Sequence, residues 1–297
     1  MDAPAAPGTV VAGFGRASLV RAEGGELLTA TARSRRLQPV CGDRVVLSGI
    51  AGGRAVIEAV EPRRTVFQRS SRHRTKVLAA NVTQVVVLVA CEPSFSDELI
   101  CRFLAAAERA QLPALIALNK VDLAARRDDA LRALEPFRGL GYPLVELAGK
   151  RDALPLAPYL HRQRSLLVGQ SGMGKSTLVK TLVPQAEVRI GEISRFLDSG
   201  RQSTTAARLY ALDASTEIVD TPGVSEFGLA GLDAREIAAC FREFGAHAAR
   251  CRFQDCRHLS EPDCAVREAA LSGAVHPRRL ALYQRILRDE LHEAPAR

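Results

Sequence analysis

Short stretches of alternating apolar and polar residues fill the first part of the chain, and glycine-rich turns separate them. Apolar residues at every second position favour strands that are buried on one face. The predicted strands are Gly8–Ala12, Arg16–Arg21, Glu26–Ala32, Asp43–Ser48 and Ala55–Val60. Five short strands within residues 1–66 predict an OB-type β-barrel, a fold that often binds nucleic acid.

From about residue 81 the pattern changes to that of an α/β domain. The run Val85–Ala90 is apolar at successive positions, as in a strand that is buried on both faces. Ser96 offers an N-cap for a helix over residues 97–111, and an apolar strand over residues 114–118 follows. Strand-like and helix-like segments continue to alternate, which predicts a mostly parallel sheet.

These patterns predict three units: the barrel in residues 1–66, the α/β domain in 67–228, and a small helical unit rich in cysteine and histidine in 229–297. A basic, helix-poor connector over residues 63–76 joins the first two. It is either a solvated linker or a strip that contacts RNA phosphates, and the sequence leaves both readings open. The candidate RNA-binding residues are Arg63, Arg64, Arg72, Arg74 and Lys76.

Composition narrows the class of protein further. The net charge of +8 favours a polyanionic partner, although a soluble basic protein explains it equally well. Apolar runs are too short to cross a bilayer, and the first residues lack the pattern of a secretory signal. We therefore expect a cytoplasmic protein, without membrane contact, that is a monomer.

A phosphate-binding loop is the clearest chemical motif. Residues 169–176 fit G-x-x-x-x-G-K-[ST] in full, after an apolar strand and before a helix, which is the context that the motif requires. Lys175 would bridge the β- and γ-phosphates, and the Ser176 hydroxyl would ligate Mg²⁺. The nucleotide-binding residues predicted here are Gly169, Gln170, Ser171, Gly172, Met173, Gly174, Lys175, Ser176 and Thr177.

A second motif, Asn119-Lys120-Val121-Asp122, predicts which base is bound. It follows an apolar strand, at the strand end where α/β sheets bind ligands. Asp122 would accept hydrogen bonds from guanine N1–H and the exocyclic amine, and ATP would leave a buried Asp122 unpaired. Asn119 and Lys120 would brace the base and the phosphate loop. The alternative of an ATPase or small-molecule kinase requires Asp122 to be incidental.

A third motif, Asp220-Thr221-Pro222-Gly223, has the pattern of a GTPase switch. Asp220 would hold Mg²⁺, through water, and the Gly223 N–H would contact the γ-phosphate. Upstream, either Thr204 or Thr205 would supply the other switch contact to Mg²⁺. Asp220 is a predicted nucleotide-binding residue, and the predicted catalytic set is Lys175, Gln202, Thr204, Thr205 and Gly223.

The residue after Gly223 is Val224, where Ras-like proteins have the glutamine that orients the attacking water. We therefore expect slow intrinsic hydrolysis that a partner accelerates. Gln202 is a candidate substitute, or else an ordinary exposed polar residue.

The order of the motifs is permuted. The base-reading motif precedes the phosphate loop, whereas ordinary GTPases place the phosphate loop first and the base-reading motif last. A compact core can be cut and rejoined in this way because the ends of a domain often lie close together. The switch is therefore the last part of the core, and its nucleotide state could pass directly into residues 229–297.

The C-terminal unit contains four soft metal ligands, Cys251, Cys256, His258 and Cys264, within 14 residues. A Cys₃His set predicts a closed tetrahedral zinc site with a structural role. A disulfide framework is disfavoured in a cytoplasmic chain of this length.

Taken together, the barrel, the permuted motifs and the Cys₃His spacing resemble the ribosome small-subunit-dependent GTPase A family (RsgA/YjeQ). The resemblance covers nearly the whole chain and implies a GTPase that assists late maturation of the small ribosomal subunit, binds its rRNA and is stimulated by it. Two departures concern Gln202 and Ser203, where the family usually has histidine and threonine, and the base-backing box, which is Leu147-Ala148 here. Only Ala148 fits that box comfortably, and the resemblance implies that its backbone N–H approaches guanine O6. A GTP-dependent RNA-binding assembly factor in which hydrolysis only resets binding is the alternative.

Overall fold

The predicted barrel is present at the N-terminus. A computed structural model describes residues 5–71, 74–184, 206–229 and 231–293. The barrel strands are β1 (Ala6–Phe14), β2 (Ala17–Ala22), β3 (Leu27–Ala32), β4 (Arg44–Ala51) and β5 (Arg54–Val60). They close in the order β1-β2-β3-β5-β4-β1, with β3 and β5 parallel and the other pairs antiparallel. This closed five-stranded order confirms the OB-type barrel.

The interior of the barrel is a separate small core. Its buried side chains come from alternate strand positions, as expected when one face of each strand points inward. They are Val10, Val20, Leu28, Ala30, Val45, Leu47, Ala55 and Ile57.

A β-hairpin follows the barrel, formed by β6 (Val66–Ser71) and β7 (Arg74–Ala80) in antiparallel pairing. The connector over residues 63–76 is helix-poor, as predicted, but the sequence analysis did not predict its two strands. Charged residues at exposed strand positions hid the apolar pattern, because the hairpin buries Phe67, Ala79 and Ala80 while it exposes Lys76.

The α/β domain is built on a parallel sheet in the order β10-β9-β8-β11-β13, with β12 antiparallel at the edge of β13. A single residue pair, Ala12 with Arg208, joins β12 to β1 and so connects this sheet to the barrel. The strands are β8 (Gln84–Ala90), β9 (Ala114–Asn119), β10 (Leu144–Glu146), β11 (Arg164–Val168), β12 (Arg208–Ala211) and β13 (Glu217–Asp220). The helices are α1 (Asp97–Arg109), α2 (Ala124–Ala133), α3 (Ala157–Leu160) and α4 (Lys175–Leu182), with 3₁₀ turns at Glu135–Phe137 and Leu154–Leu156.

The local signals in the sequence explain these elements. Every residue of β8 and β9 is buried, as their continuous apolar runs predict for strands that are covered on both faces. The Ser96 side chain accepts a hydrogen bond from Leu99 N at 3.2 Å, which confirms it as the N-cap of α1.

The C-terminal unit is helical and packs on the α/β domain. Its helices are α5 (Ala234–Ala239), α6 (Gly245–Ala248), α7 (Ala265–Leu271) and α8 (Pro277–Glu293), with a 3₁₀ turn at Arg242–Phe244. Phe241, Phe244 and Tyr283 are buried in the same hydrophobic core as the central strands. Within the described ranges, no helix is long and apolar enough to cross a membrane.

Candidate active site and metal centre

The phosphate loop runs from the end of β11 to the start of α4. Gly174 immediately precedes α4 at a φ of +93°, and a Cβ there would lie 2.4 Å from Asn119 Nδ2. A Cβ at Gly169 would lie 2.3 Å from the Leu88 carbonyl oxygen. Because no side chain fits at either position, the two glycines are required by the close approach of neighbouring strands.

Lys175 lies buried at the centre of this loop. Its ammonium donates to the carbonyl oxygens of Gly169 and Gln170, both at 2.8 Å. Burial lowers the pKa of Lys175, and the nearby Asp220 carboxylate opposes that shift. The ammonium is therefore held inside the loop, and its contact with the β- and γ-phosphates stays a prediction.

Asn119 connects three segments of the site. Its Nδ2 donates to the Met173 carbonyl oxygen at 2.9 Å. Its Oδ1 accepts from Lys120 N and from Gly149 N, each at 2.8 Å. The side chain is buried, so the base-reading motif, the phosphate loop and the segment after β10 are held in one arrangement.

Lys120 and Asp122 lie on the turn that follows β9. Lys120 crosses to the phosphate loop, where Nζ donates to the Gly172 carbonyl oxygen at 2.8 Å and to that of Glu92 at 2.7 Å. Asp122 is exposed, and its Oδ2 lies 3.9 Å from Arg151 Nε. The expectation of a buried Asp122 is wrong for this structure, because the turn carries the carboxylate beyond the covered end of the strand.

Ala148 lies half-buried in a tight turn beside Asn119. Its carbonyl oxygen accepts from Arg151 N at 2.7 Å and from Asp152 N at 2.9 Å. These bonds fix the backbone of the turn, and the contact of the Ala148 N–H with guanine O6 stays a prediction.

The switch motif begins at the end of β13, beside the phosphate loop. Asp220 is buried, and its Oδ1 has no hydrogen-bond partner among the described residues. Burial raises the pKa of Asp220 to about 6, against the opposing charge of Lys175. A buried carboxylate oxygen without a donor fits a cation such as Mg²⁺, which takes oxygen ligands.

Gly223 lies directly against the phosphate loop. A Cβ at this position would lie 2.9 Å from Ser171 N and 3.2 Å from Lys175 Nζ. A glycine is therefore required where the switch meets the loop. The next residue, Val224, donates its backbone N–H to the Gly169 carbonyl oxygen at 3.4 Å.

The phosphate loop, the switch motif and Lys120 of the base-reading motif line one cleft of about 330 Å³, whereas Asn119, Asp122, Ala148 and Asp220 are not among its lining residues. Thr221 and Pro222 also line it, although the sequence prediction did not include them; their place inside the switch motif is the signal that could have found them. Gln202, Thr204 and Thr205 lie outside the described residues. The lining residues are Lys120, Ser171, Gly172, Gly174, Lys175, Ser176, Thr177, Thr221, Pro222 and Gly223.

The Cys₃His cluster is assembled as predicted. The ligand atoms of Cys251, Cys256, His258 and Cys264 all lie within 4.8 Å of one another. Cys251 Sγ is 3.9 Å from Cys264 Sγ, and His258 Nδ1 is 3.3 Å from Cys264 Sγ. A tetrahedral ion with metal–sulfur bonds of about 2.3 Å places its sulfur atoms roughly 3.8 Å apart. The cluster therefore has the size of a metal site.

The basic residues near the hairpin differ in their surroundings. Arg63 donates to both oxygens of the buried Asp43, at 2.8 and 2.9 Å, so its charge has an internal partner. Arg64 and Lys76 are exposed, and Lys76 lies directly opposite Arg69 across the hairpin. Arg74 begins β7, and Arg72 lies outside the described residues.

Comparison with known proteins identifies the family. The sequence model of the RsgA GTPase family matches residues 60–230. A small ribosomal subunit biogenesis GTPase RsgA of Nitrosospira multiformis is 45% identical over 97% of this chain and 92% of its own length. The chain belongs to the RsgA GTPase family. Another RsgA, of Bordetella pertussis, is 42% identical over 99% of this chain and 100% of its own.

One solved structure agrees with this membership, and a second, 22% identical to this chain, shows the same fold. The RsgA-family chain is 28% identical to YjeQ from Thermotoga maritima, with a TM-score of 0.75 over 99% of this chain and 100% of that one. YloQ, described as a circularly permuted GTPase, has the same fold, with a TM-score of 0.72 over 99% of this chain and 98% of that one. Membership makes this chain a GTPase that uses GTP, GDP and Mg²⁺.

Proposed function

We propose that this GTPase binds the small ribosomal subunit, assists its late maturation and hydrolyses GTP to GDP and phosphate when the subunit stimulates it. The observation that carries the proposal is the convergence of the three motifs in one cleft. The relatives at 41–45% identity are named small ribosomal subunit biogenesis GTPases, which supports the choice of partner.

In the proposed complex, each motif has a separate task. Asp122 accepts from guanine and selects the base, while Asn119 and Lys120 hold the base-reading turn against the phosphate loop. The loop amides and Lys175 bind the phosphates, and the Gly223 N–H contacts the γ-phosphate. Loss of that last contact after hydrolysis releases the switch.

Mg²⁺ would be held by Ser176 and, through water, by Asp220, with Thr204 or Thr205 as the remaining contact. The cation neutralises charge on the β- and γ-phosphates when it is bound. Ser176 lies exposed in the cleft, and Asp220 is buried with one carboxylate oxygen that has no hydrogen-bond partner among the described residues, so both residues suit the role.

Hydrolysis should depend on the partner because no glutamine follows Gly223. Val224 packs against the hydrophobic core and cannot hold a water molecule. Gln202 is the candidate within the chain for that task. We propose that the subunit completes or orders this part of the site.

The purified protein is expected to hydrolyse GTP slowly alone and faster with small ribosomal subunits, whereas ATP should not be turned over in either case. Phosphate release, followed with each nucleotide and with or without subunits, measures all of these rates. Large subunits serve as the control. GTP-specific turnover that is indifferent to the small subunit would leave the chemistry intact and remove the ribosomal assignment.

We propose that the hairpin contacts RNA. Arg69 and Lys76 face each other across an antiparallel pair, where like charges repel each other. A phosphate bound between them would relieve that repulsion. We therefore extend the proposed strip of Arg63, Arg64, Arg72, Arg74 and Lys76 to include Arg69, and expect Arg63 to contribute least because it already pairs with Asp43.

Replacing Arg69 and Lys76 with alanine is expected to reduce the salt dependence of binding to small subunits. Each lost phosphate contact lowers the slope of log Kd against log salt by about 1. The affinity is measured at several salt concentrations. Arg132→Ala with Arg138→Ala removes the same charge from surface ion pairs elsewhere and should leave the slope unchanged. If the slope of log Kd against log salt is the same for both double variants, Arg69 and Lys76 do not contact RNA phosphates and are ordinary solvated surface residues.

For the Cys₃His cluster we propose one structural zinc ion. Three sulfur ligands and one imidazole leave no open position for substrate on a tetrahedral ion. The burial of His258 lowers its pKa, which favours the neutral ring that a metal needs. The site anchors the loop between α6 and α7 rather than taking part in hydrolysis.

A further inference from the structure

The segment that follows the switch loop is fixed on several sides. Phe227 is buried, and its ring centroid lies 5.0 Å from that of Phe103 and 5.8 Å from that of Phe67. Gly228 exchanges two backbone hydrogen bonds with Ser70 of the hairpin, at 3.1 and 3.2 Å. The loop over residues 221–226 is therefore held at one end by β13 and at the other by residues 227–229.

Arg102 and Glu290 hold the backbone on both sides of Gly228. Arg102 Nη1 donates to the Phe227 carbonyl oxygen at 3.4 Å and also to Glu290 Oε1. The same Glu290 oxygen accepts from Leu229 N at 2.8 Å. A buried ion pair between α1 and α8 thus closes around this segment.

The guanidinium of Arg102 is fixed by two further carboxylates. Nε donates to Glu98 at 3.0 Å and Nη2 donates to Asp289 at 3.1 Å. The planar fork of arginine meets all of these acceptors at once, which a single lysine ammonium cannot do. The contact with the Phe227 carbonyl is therefore specific to arginine.

The N-terminal end of α1 is attached to the phosphate loop. Ser96 N, at the N-cap of α1, donates to Gln170 Oε1 at 2.6 Å. Arg102 lies six residues along the chain, or about 9 Å along a helix that rises 1.5 Å per residue. The rigid first turns of α1 therefore connect the phosphate loop to the end of the switch loop.

We propose that Arg102 is a positioning residue for the switch: by fixing residue 227 directly and residue 229 through Glu290, it holds Gly223 where its N–H meets the γ-phosphate. Arg102 touches no phosphate itself. Its effect falls on the binding of GTP and not on that of GDP, since GDP has no γ-phosphate to contact. This inference rests on the proposed contact between Gly223 and the γ-phosphate.

The test compares the affinities for GDP and for a non-hydrolysable GTP analogue in the full-length protein with Mg²⁺. Arg102→Lys keeps the charge but loses the fork. The double variant Arg102→Gln with Glu290→Gln removes both charges of the buried ion pair. It is included because a single buried charge without its partner could unfold the protein. Both the lysine variant and the double variant are expected to weaken binding of the analogue about tenfold, which is the loss of affinity expected when one hydrogen bond to a charged group is removed. Their affinity for GDP should change less than twofold.

Arg285→Gln is the matched control. Arg285 is also on α8 and lies 3.6 Å from Glu98, but it is exposed and does not reach residues 227–229. It should leave both affinities unchanged. If the Arg102 variants weaken the binding of GDP and of the analogue equally, Arg102 has no positioning role. The same conclusion follows if they weaken the binding of neither nucleotide. If the unmodified protein binds the analogue no more tightly than GDP, the γ-phosphate contact of Gly223 adds nothing to affinity and the inference falls with it.

Discussion

Replacing Asp122 with asparagine is expected to weaken GTP binding by about 10²- to 10⁴-fold. The carboxylate accepts two hydrogen bonds from guanine in the proposed complex, and each such bond to a charged group contributes about 1.5–3 kcal/mol. Asparagine keeps one acceptor and turns an amide donor towards the guanine amine, which is also a donor. The remaining contact of Asp122, with Arg151, is exposed and long, so its loss contributes little.

Asp122→Asn should also change the nucleotide that the protein prefers from GTP to xanthosine triphosphate. Xanthine has a carbonyl oxygen where guanine has the exocyclic amine, and that oxygen accepts from the asparagine amide. The change is measured by competition. Each nucleotide competes with a fluorescent GDP analogue for the unmodified protein and with a fluorescent xanthosine analogue for the variant. Asp128→Asn, an exposed aspartate on α2, is the control and should not alter either affinity. Retention of GTP preference by Asp122→Asn would show that another group reads the base.

Removal of the metal from the Cys₃His site is expected to lower the free energy of unfolding of the C-terminal unit by several kcal/mol. Structural zinc contributes about 10–16 kcal/mol in isolated zinc-finger peptides. Here the packing of Phe244 and Tyr283 around His258 retains part of the fold, so the loss should be smaller. Without the ion, three thiols and an imidazole are left crowded within 4.8 Å and have no common partner.

Metal content, thermal unfolding and hydrogen exchange test this expectation. One zinc per chain should be bound, and Cys256→Ser should lose it together with protection of residues 251–264. Cys240→Ser is the matched control, because Cys240 is outside the cluster and its Sγ donates to the Glu236 carbonyl oxygen, as a serine hydroxyl can. If Cys256→Ser keeps its zinc content and its unfolding temperature, the Cys₃His cluster does not hold a structural zinc ion.

Local sequence signals predicted the parts of the fold that depend on neighbouring residues. Continuous apolar runs marked β8 and β9, Ser96 marked the start of α1, and the phosphate loop was recognised from its glycines. The hairpin over residues 66–80 was missed because basic residues occupy its exposed positions. A strand in which one face is charged and the other is partly apolar has a weak pattern.

Contacts between distant residues could not be predicted. Arg102 and Glu290 are 188 positions apart, and nothing in either local pattern indicates that they form one buried pair. Asn119 was expected to brace the site, but its bonds to Met173 and Gly149 depend on the order of strands in the sheet. The exposure of Asp122 likewise depends on how far the turn projects, which a four-residue motif does not specify.

The strand order also has a consequence for synthesis of the chain. β8 lies next to β11, yet 73 residues separate the end of β8 at Ala90 from the start of β11 at Arg164. At about 5–20 residues per second, a ribosome needs about 4–15 s to make that interval. During this time the base-reading half has an unpaired β8 edge, which is a site for wrong strand pairing. The permutation that places the switch beside the C-terminal unit therefore delays the pairing of β8 with β11 until the phosphate-loop strand has been made.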